Sequence, residues 1–211
     1  MEVARAAHRS PGRAYHDWAH VVTCVEQLRA LPTAEPRAAF LAILFHDAVY
    51  VAGATDNERR SADLAHEVLN VRCRLSREEL RSIERMILAT RDHHALGSVL
   101  PVDEQTMLDV DLSILGASWE EYAAYAHGVK EEYVPAVTSA RRFRIGRSEF
   151  LSGMLQRPHI FLTPEGRRRW DDRARANMQR ELEQLEGQAG FGMRWLLALR
   201  RFLAQSPWRA G

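Results

Sequence analysis

The sequence predicts an all-α protein, a single helical bundle of about seven to nine helices. Three observations carry this. Apolar residues recur at helical spacing almost throughout, helix-capping signatures punctuate the chain, and no alternating strand pattern or hairpin dipeptide of useful length is found. In chain order, Val21, Cys24, Val25 and Leu28 make an i, i+3, i+4, i+7 stripe, with Asp17 placed to cap the helix before it. Pro36 suits the first turn of a buried helix that continues through AAFLAILF. VAGATD (51–56) reads as a loop, with Asp56 as the N-cap of NERRSADLAHEVL. SREE (76–79) and SWEE (118–121) have capping-box spacing ahead of LRSIERMILAT and YAAYAHGVKEEY. RRFRIGR (141–147) is an arginine cluster on a helix. Thr163-Pro164 opens a long helix through RRRWDDRARANMQRELEQLE, and GFGMRWLLALRRFLA closes the chain as an amphipathic helix. The expected division is a helical core over 1–158 and C-terminal helices over 159–211 that pack on it as part of the same domain.

Composition narrows the class. In 211 residues, 46% are hydrophobic and 27% charged, which suits one domain with a substantial core. Twenty-nine basic residues face 28 acids, a net charge of +1, so neither a nucleic-acid duplex nor a membrane surface is called for as partner. Cys24 and Cys73 form no CxxC pair and read as reduced thiols of a cytoplasmic protein. The N-terminal residues have no apolar signal-like run, and no segment approaches the roughly 20 apolar residues of a membrane span.

Against that background LAILFHDAVY (41–50) stands out, because His46 and Asp47 interrupt the most apolar stretch of the chain. Adjacent helical residues point about 100° apart. Both reach one object only if it lies between them near a helix end; a metal ion is such an object, and a buried His–Asp hydrogen bond is the plainer alternative. Upstream, YHDWAH places His16 and His20 four residues apart. If Asp17 caps the helix, His16 is left at its rim and His20 looks inward along the line of Cys24 and Leu28. Downstream, Leu108, Asp111, Leu112 and Leu115 share a stripe that Asp109 leaves. A carboxylate on that stripe needs a cation or an arginine to offset its burial. The candidate ligands are therefore His20, His46, Asp47 and Asp111.

This H…HD…D pattern on a helical chain resembles the HD-domain superfamily of metal-dependent phosphohydrolases, and within it a branch of small bacterial predicted HD-type hydrolases. The blocks that carry the resemblance are YHDWAH, FHDAVY, NERRSA, ATRDHH, LDVDLSILG and EEYVPAV, spread over roughly residues 13 to 180. It implies that His20, His46, Asp47 and Asp111 hold a divalent cation. Many members place the last aspartate two residues before a leucine; here Leu112 follows Asp111 at once, and Asp109 competes for the role. The resemblance also draws Glu58 toward the site as a general acid–base, against a plain role in the helix dipole. It selects His93, in T-x-x-H, as a group near the substrate or a second metal, against a C-terminal dipole role. Asp47 would join in catalysis as well as ligation.

The implied function is hydrolysis of a small phosphorylated substrate, a nucleotide among the options, with one or two ions of Mn, Fe, Co, Ni, Zn or Mg. Two readings stand beside it. One is a di-iron HD-type oxygenase, to which His16, His93 and His94 would add ligands; the other is a non-catalytic metal- or nucleotide-binding sensor. Arg147 is either a phosphate clamp or part of a salt-bridged face. His66, His127 and His159 read as surface or packing residues.

Overall fold

A computed structural model describes residues 1–92 and 100–187. Among them are nine α-helices and no strand: α1 (Glu2–Ala7), α2 (Trp18–Leu28), α3 (Pro36–Phe45), α4 (Asn57–Arg72), α5 (Arg77–Ala89), α6 (Val102–Asp111), α7 (Trp119–Tyr133), α8 (Ala140–Leu155) and α9 (Pro164–Gly187). Short 3₁₀ segments follow α5 (Thr90–Asp92) and α6 (Leu112–Gly116). The all-α expectation is met. The expected last helix, GFGMRWLLALRRFLA, lies outside the described residues.

All but one of the expected capping residues act where the sequence places them. Ser76 and Ser118 each close a reciprocal capping box, with Glu79 and Glu121. Pro36 opens α3, and the Thr163 hydroxyl accepts the N–H of Gly166 in the first turn of α9. Asp56 is a correction. It precedes α4, but its side chain caps nothing and instead lies near Arg60. The helix reading of LDVDLSILG is corrected too. The chain tightens to 3₁₀ from Leu112, so Asp111 is the last residue of α6 rather than a mid-helix position. α1 was not foreseen.

α3 is the axis of the core. Ala38, Ala39, Ala42, Ile43, Leu44 and Phe45 are all buried, so beyond the exposed Arg37 in its first turn the helix is apolar, and it is covered by α2, α4, α5 and α6. α5 adds Ile83, Met86 and Ile87. α9 packs on α8 and on the 3₁₀ segment after α6, burying Trp170, Ala174 and Met178. These contacts hold the C-terminal ends of α3 and α6 beside the N-terminal end of α2, where the candidate ligands stand. No described helix is long and apolar enough to cross a membrane. Cys24 and Cys73 are both free thiols.

Candidate metal centre

Each ligand position follows from a local event at a helix end. Asp17 caps α2, accepting the N–H groups of Ala19 (2.8 Å) and His20 (3.2 Å). The helix therefore starts after His16, and His20 lies in its first turn with its ring buried. His16 and His20 do not share a helical face. α3 ends at Phe45, so His46 and Asp47 leave the helix together, as a shared object near its end requires. Nδ1 of His46 lies 2.9 Å from the Ile43 carbonyl in the last turn of its own helix. Donation there leaves Nε2 as the free lone pair.

The four side chains converge. Nε2 of His20 is 3.1 Å from Nε2 of His46, 3.1 Å from Oδ1 of Asp111 and 3.7 Å from Oδ2 of Asp47. Nε2 of His46 is 3.1 Å from Asp47 and 3.4 Å from Asp111. One ligand atom from each residue lies within 4.8 Å of every other. Ligands about 2.1 Å from one ion, at angles between octahedral and tetrahedral, stand roughly 3.0 to 3.4 Å apart. Four of these five separations fall in that range and the His20–Asp47 one is 3.7 Å, so the four residues could hold a metal ion. Two imidazoles and two carboxylates make a borderline donor set suited to first-row transition metals.

The electrostatics point the same way. Burial works to lower the basicity of His46, but Asp47 and Asp111 outweigh it and hold the imidazole well above its usual range. Burial would raise Asp47; the His46 charge and hydrogen bond hold it well below. A half-buried carboxylate pair thus calls for positive charge, met by a proton on the imidazole or by a cation, and cation uptake would release that proton.

Asp109 and Asp111 separate cleanly. Asp109 is buried and accepts three bonds at the start of α9: Leu162 N–H (2.6 Å), Thr163 N–H (2.8 Å) and the Thr163 hydroxyl (2.6 Å). Gly166 leaves room for that carboxylate, since a Cβ there would collide with it. Asp109 is a docking group for α9, and Asp111 is the residue that joins the histidines.

The centre forms part of a cleft of about 610 Å³ lined by Asp47 and Asp111 together with Glu58, His16, Tyr50 and Arg91. Glu58 lies on its wall. Asn57 instead latches the preceding loop, accepting from Val51 N–H and donating to the Val51 carbonyl. Arg147 lines the cleft as well, but its guanidinium forms a two-pronged pair with Glu181, both contacts 2.9 Å, and donates to the Tyr125 hydroxyl. The salt-bridge reading of Arg147 holds. His66, His127 and His159 are exposed. His93 and His94 lie outside the described residues.

Two residues escaped the sequence reading. Glu132 is buried on α7; Oε1 accepts the N–H groups of Ala14 (2.9 Å), Tyr15 (2.8 Å) and His16 (3.0 Å). Its Oε2 takes Nδ1 of His16 (2.6 Å) and the Tyr50 hydroxyl (3.1 Å). Burial would raise this carboxyl, yet the His16 bond and charge and the backbone donors bring it down to about 2. The signal was available: Tyr122, Tyr125, Val129 and Glu132 follow helical spacing, an acid on an apolar stripe like Asp111. Arg13 donates to the carbonyls of His16 (2.6 Å), Asp47 (2.8 Å) and Ala48 (3.0 Å), which no sequence pattern announces.

The described residues therefore form an all-helical protein with a candidate two-histidine, two-carboxylate metal centre on an open cleft. Comparison with models of known protein families finds no match, and a search of curated proteins finds no significantly similar sequence.

Proposed function

We propose that this chain is a divalent-cation-dependent phosphohydrolase acting on a small phosphoester. The observation that carries the proposal is the convergence of His20, His46, Asp47 and Asp111 beside a cleft of about 610 Å³. The H…HD…D resemblance supports it from the sequence side. A bound cation supplies Lewis acidity to a phosphoryl oxygen and lowers the pKa of a water. The protein side chains do the rest. His46 keeps its Nε2 lone pair on the ligand side through the Ile43 bond, and Glu58 on the cleft wall receives or returns a proton. Arg91 and Arg142, exposed at the cleft, meet the charge of the phosphate.

The oxygenase alternative would need further ligands; among the described residues the group that could hold a metal contains four side chains, none of them His16, whose Nδ1 bond to Glu132 leaves Nε2 available.

The test is elemental analysis of the purified protein, followed by a screen of phosphomonoesters, cyclic nucleotides and nucleoside polyphosphates with each candidate metal. The expected result is about one transition-metal ion per chain and turnover of at least one phosphoester, both lost in Asp47→Ala. Turnover by a metal-free Asp47→Ala protein would refute the proposal. Tight nucleotide binding with no turnover under any metal would replace it with a sensor.

A further inference from the structure

Tyr15 belongs to the segment between Arg13 and the Asp17 cap, and it contributes to the cleft wall. Its ring is held on several sides, packed on His16 and His20 at centroid distances of 4.9 Å each and on Tyr125 at 4.6 Å. Its N–H is held by Glu132. Gly128 of α7 allows this close approach, since a Cβ there would lie 2.9 Å from the Ala14 carbonyl oxygen and 3.1 Å from the Tyr15 Cβ. The ring is thus a fixed element.

At the end of that fixed ring, the Tyr15 hydroxyl is buried and has no hydrogen-bond partner among the described residues. Buried hydroxyls are nearly always bonded, and leaving one unbonded is destabilising. Tyr15 packs on His20 and shares the cleft lining with Asp47 and Asp111, so its ring stands beside the centre. A phenol hydroxyl is a donor at neutral pH, so on this fixed ring it can present a proton to an oxygen at the centre.

We propose that Tyr15 is a substrate-binding residue whose hydroxyl donates to a non-bridging oxygen of a tetrahedral phosphoryl group held at the His20, His46, Asp47 and Asp111 centre. The assignment rests on the phosphohydrolase reading and extends it, naming the group that orients the phosphate. Tyr15 complements the cation rather than replacing it: one neutral donor on a rigid ring selects the orientation of an oxyanion that charge alone would leave free to rotate.

The test compares wild type with Tyr15→Phe, each loaded with the metal found by elemental analysis. Binding of inorganic phosphate is measured by calorimetry, and thermal stability is measured without phosphate. Because the hydroxyl has no partner among the described residues, the variant is expected to keep its metal content and melt at the same temperature or higher. Its affinity for phosphate is expected to fall roughly tenfold or more, with a matching rise in KM for any turned-over phosphoester. A variant that melts lower or fails to fold shows that the hydroxyl serves the fold, and overturns the assignment. Equal phosphate affinity in the two proteins overturns it while leaving the phosphohydrolase reading intact. A wild type that neither binds phosphate nor turns over a phosphoester removes the reading and the assignment together.

Discussion

Replacing Glu132 with glutamine keeps the shape of a buried hub and removes its charge. The carboxylate accepts from three backbone N–H groups, the His16 ring and the Tyr50 hydroxyl. In the variant the amide oxygen can retain the three backbone donors, while the amide N–H₂ faces His16 and Tyr50, and His16 must change tautomer to accept. A carboxyl held at about 2 rather than its usual 4.5 contributes about 3 kcal/mol at neutral pH. The sign is that of a depressed acid: the contribution is complete above about pH 4.5 and fades as pH falls toward 2. His16 brackets the other side. Burial opposes its protonation, but the Glu132 bond and the Asp47 and Asp111 charges raise it above 6.5. Its share is present below that pH and is lost as pH rises through the raised value. Urea unfolding of the metal-free protein, followed by circular dichroism and fluorescence together, is expected to show the variant about 3 kcal/mol less stable. The gap should be widest at about pH 5 to 6.5 and narrow on either side. A gap below about 1 kcal/mol, or one constant from pH 7 to pH 3, refutes the idea that this pair is charged in the folded protein.

Three further substitutions test other parts of the structure. Asp109→Asn is expected to loosen the start of α9, lowering stability by about 2 to 3 kcal/mol while metal content is kept. Asp111→Asn should do the reverse, abolishing metal binding at little cost in melting temperature, and elemental analysis beside a thermal melt separates the two. Arg147→Met strands Glu181 and is expected to cost about 3 to 5 kcal/mol. Adding Glu181→Leu and Tyr122→Phe, which removes the stranded polar groups, should recover most of that loss in denaturant melts.

The fold class was legible because every helix but α1 is long enough, and amphipathic or capped enough, to leave a periodic trace. Glu2–Ala7 has only six residues, too few for a stripe to emerge. Within the site, His46, Asp47 and Asp111 could be read because each is a polar residue set in an apolar context. Asp109 shows where that logic stops. It left the apolar stripe and was still buried, because its partner is the start of α9, more than fifty positions away. Asp56 stood where a cap stands, yet local spacing could not report that its side chain turns elsewhere. Arg13 was invisible for a different reason: its partners are backbone carbonyls, which every residue carries.

That same arginine bears on how the centre comes to exist. His20 and His46 are 26 residues apart, on separate helices. The guanidinium of Arg13 joins the two segments through carbonyls of both, before any ion arrives. The candidate ligands are preorganised by a charge covalently built into the chain, so the entropy of gathering them is met by folding rather than by an ion. Loading the folded protein should then resemble simple ligand exchange in a rigid basket, while loss of the first thirteen residues, none of them a ligand, should scatter the basket.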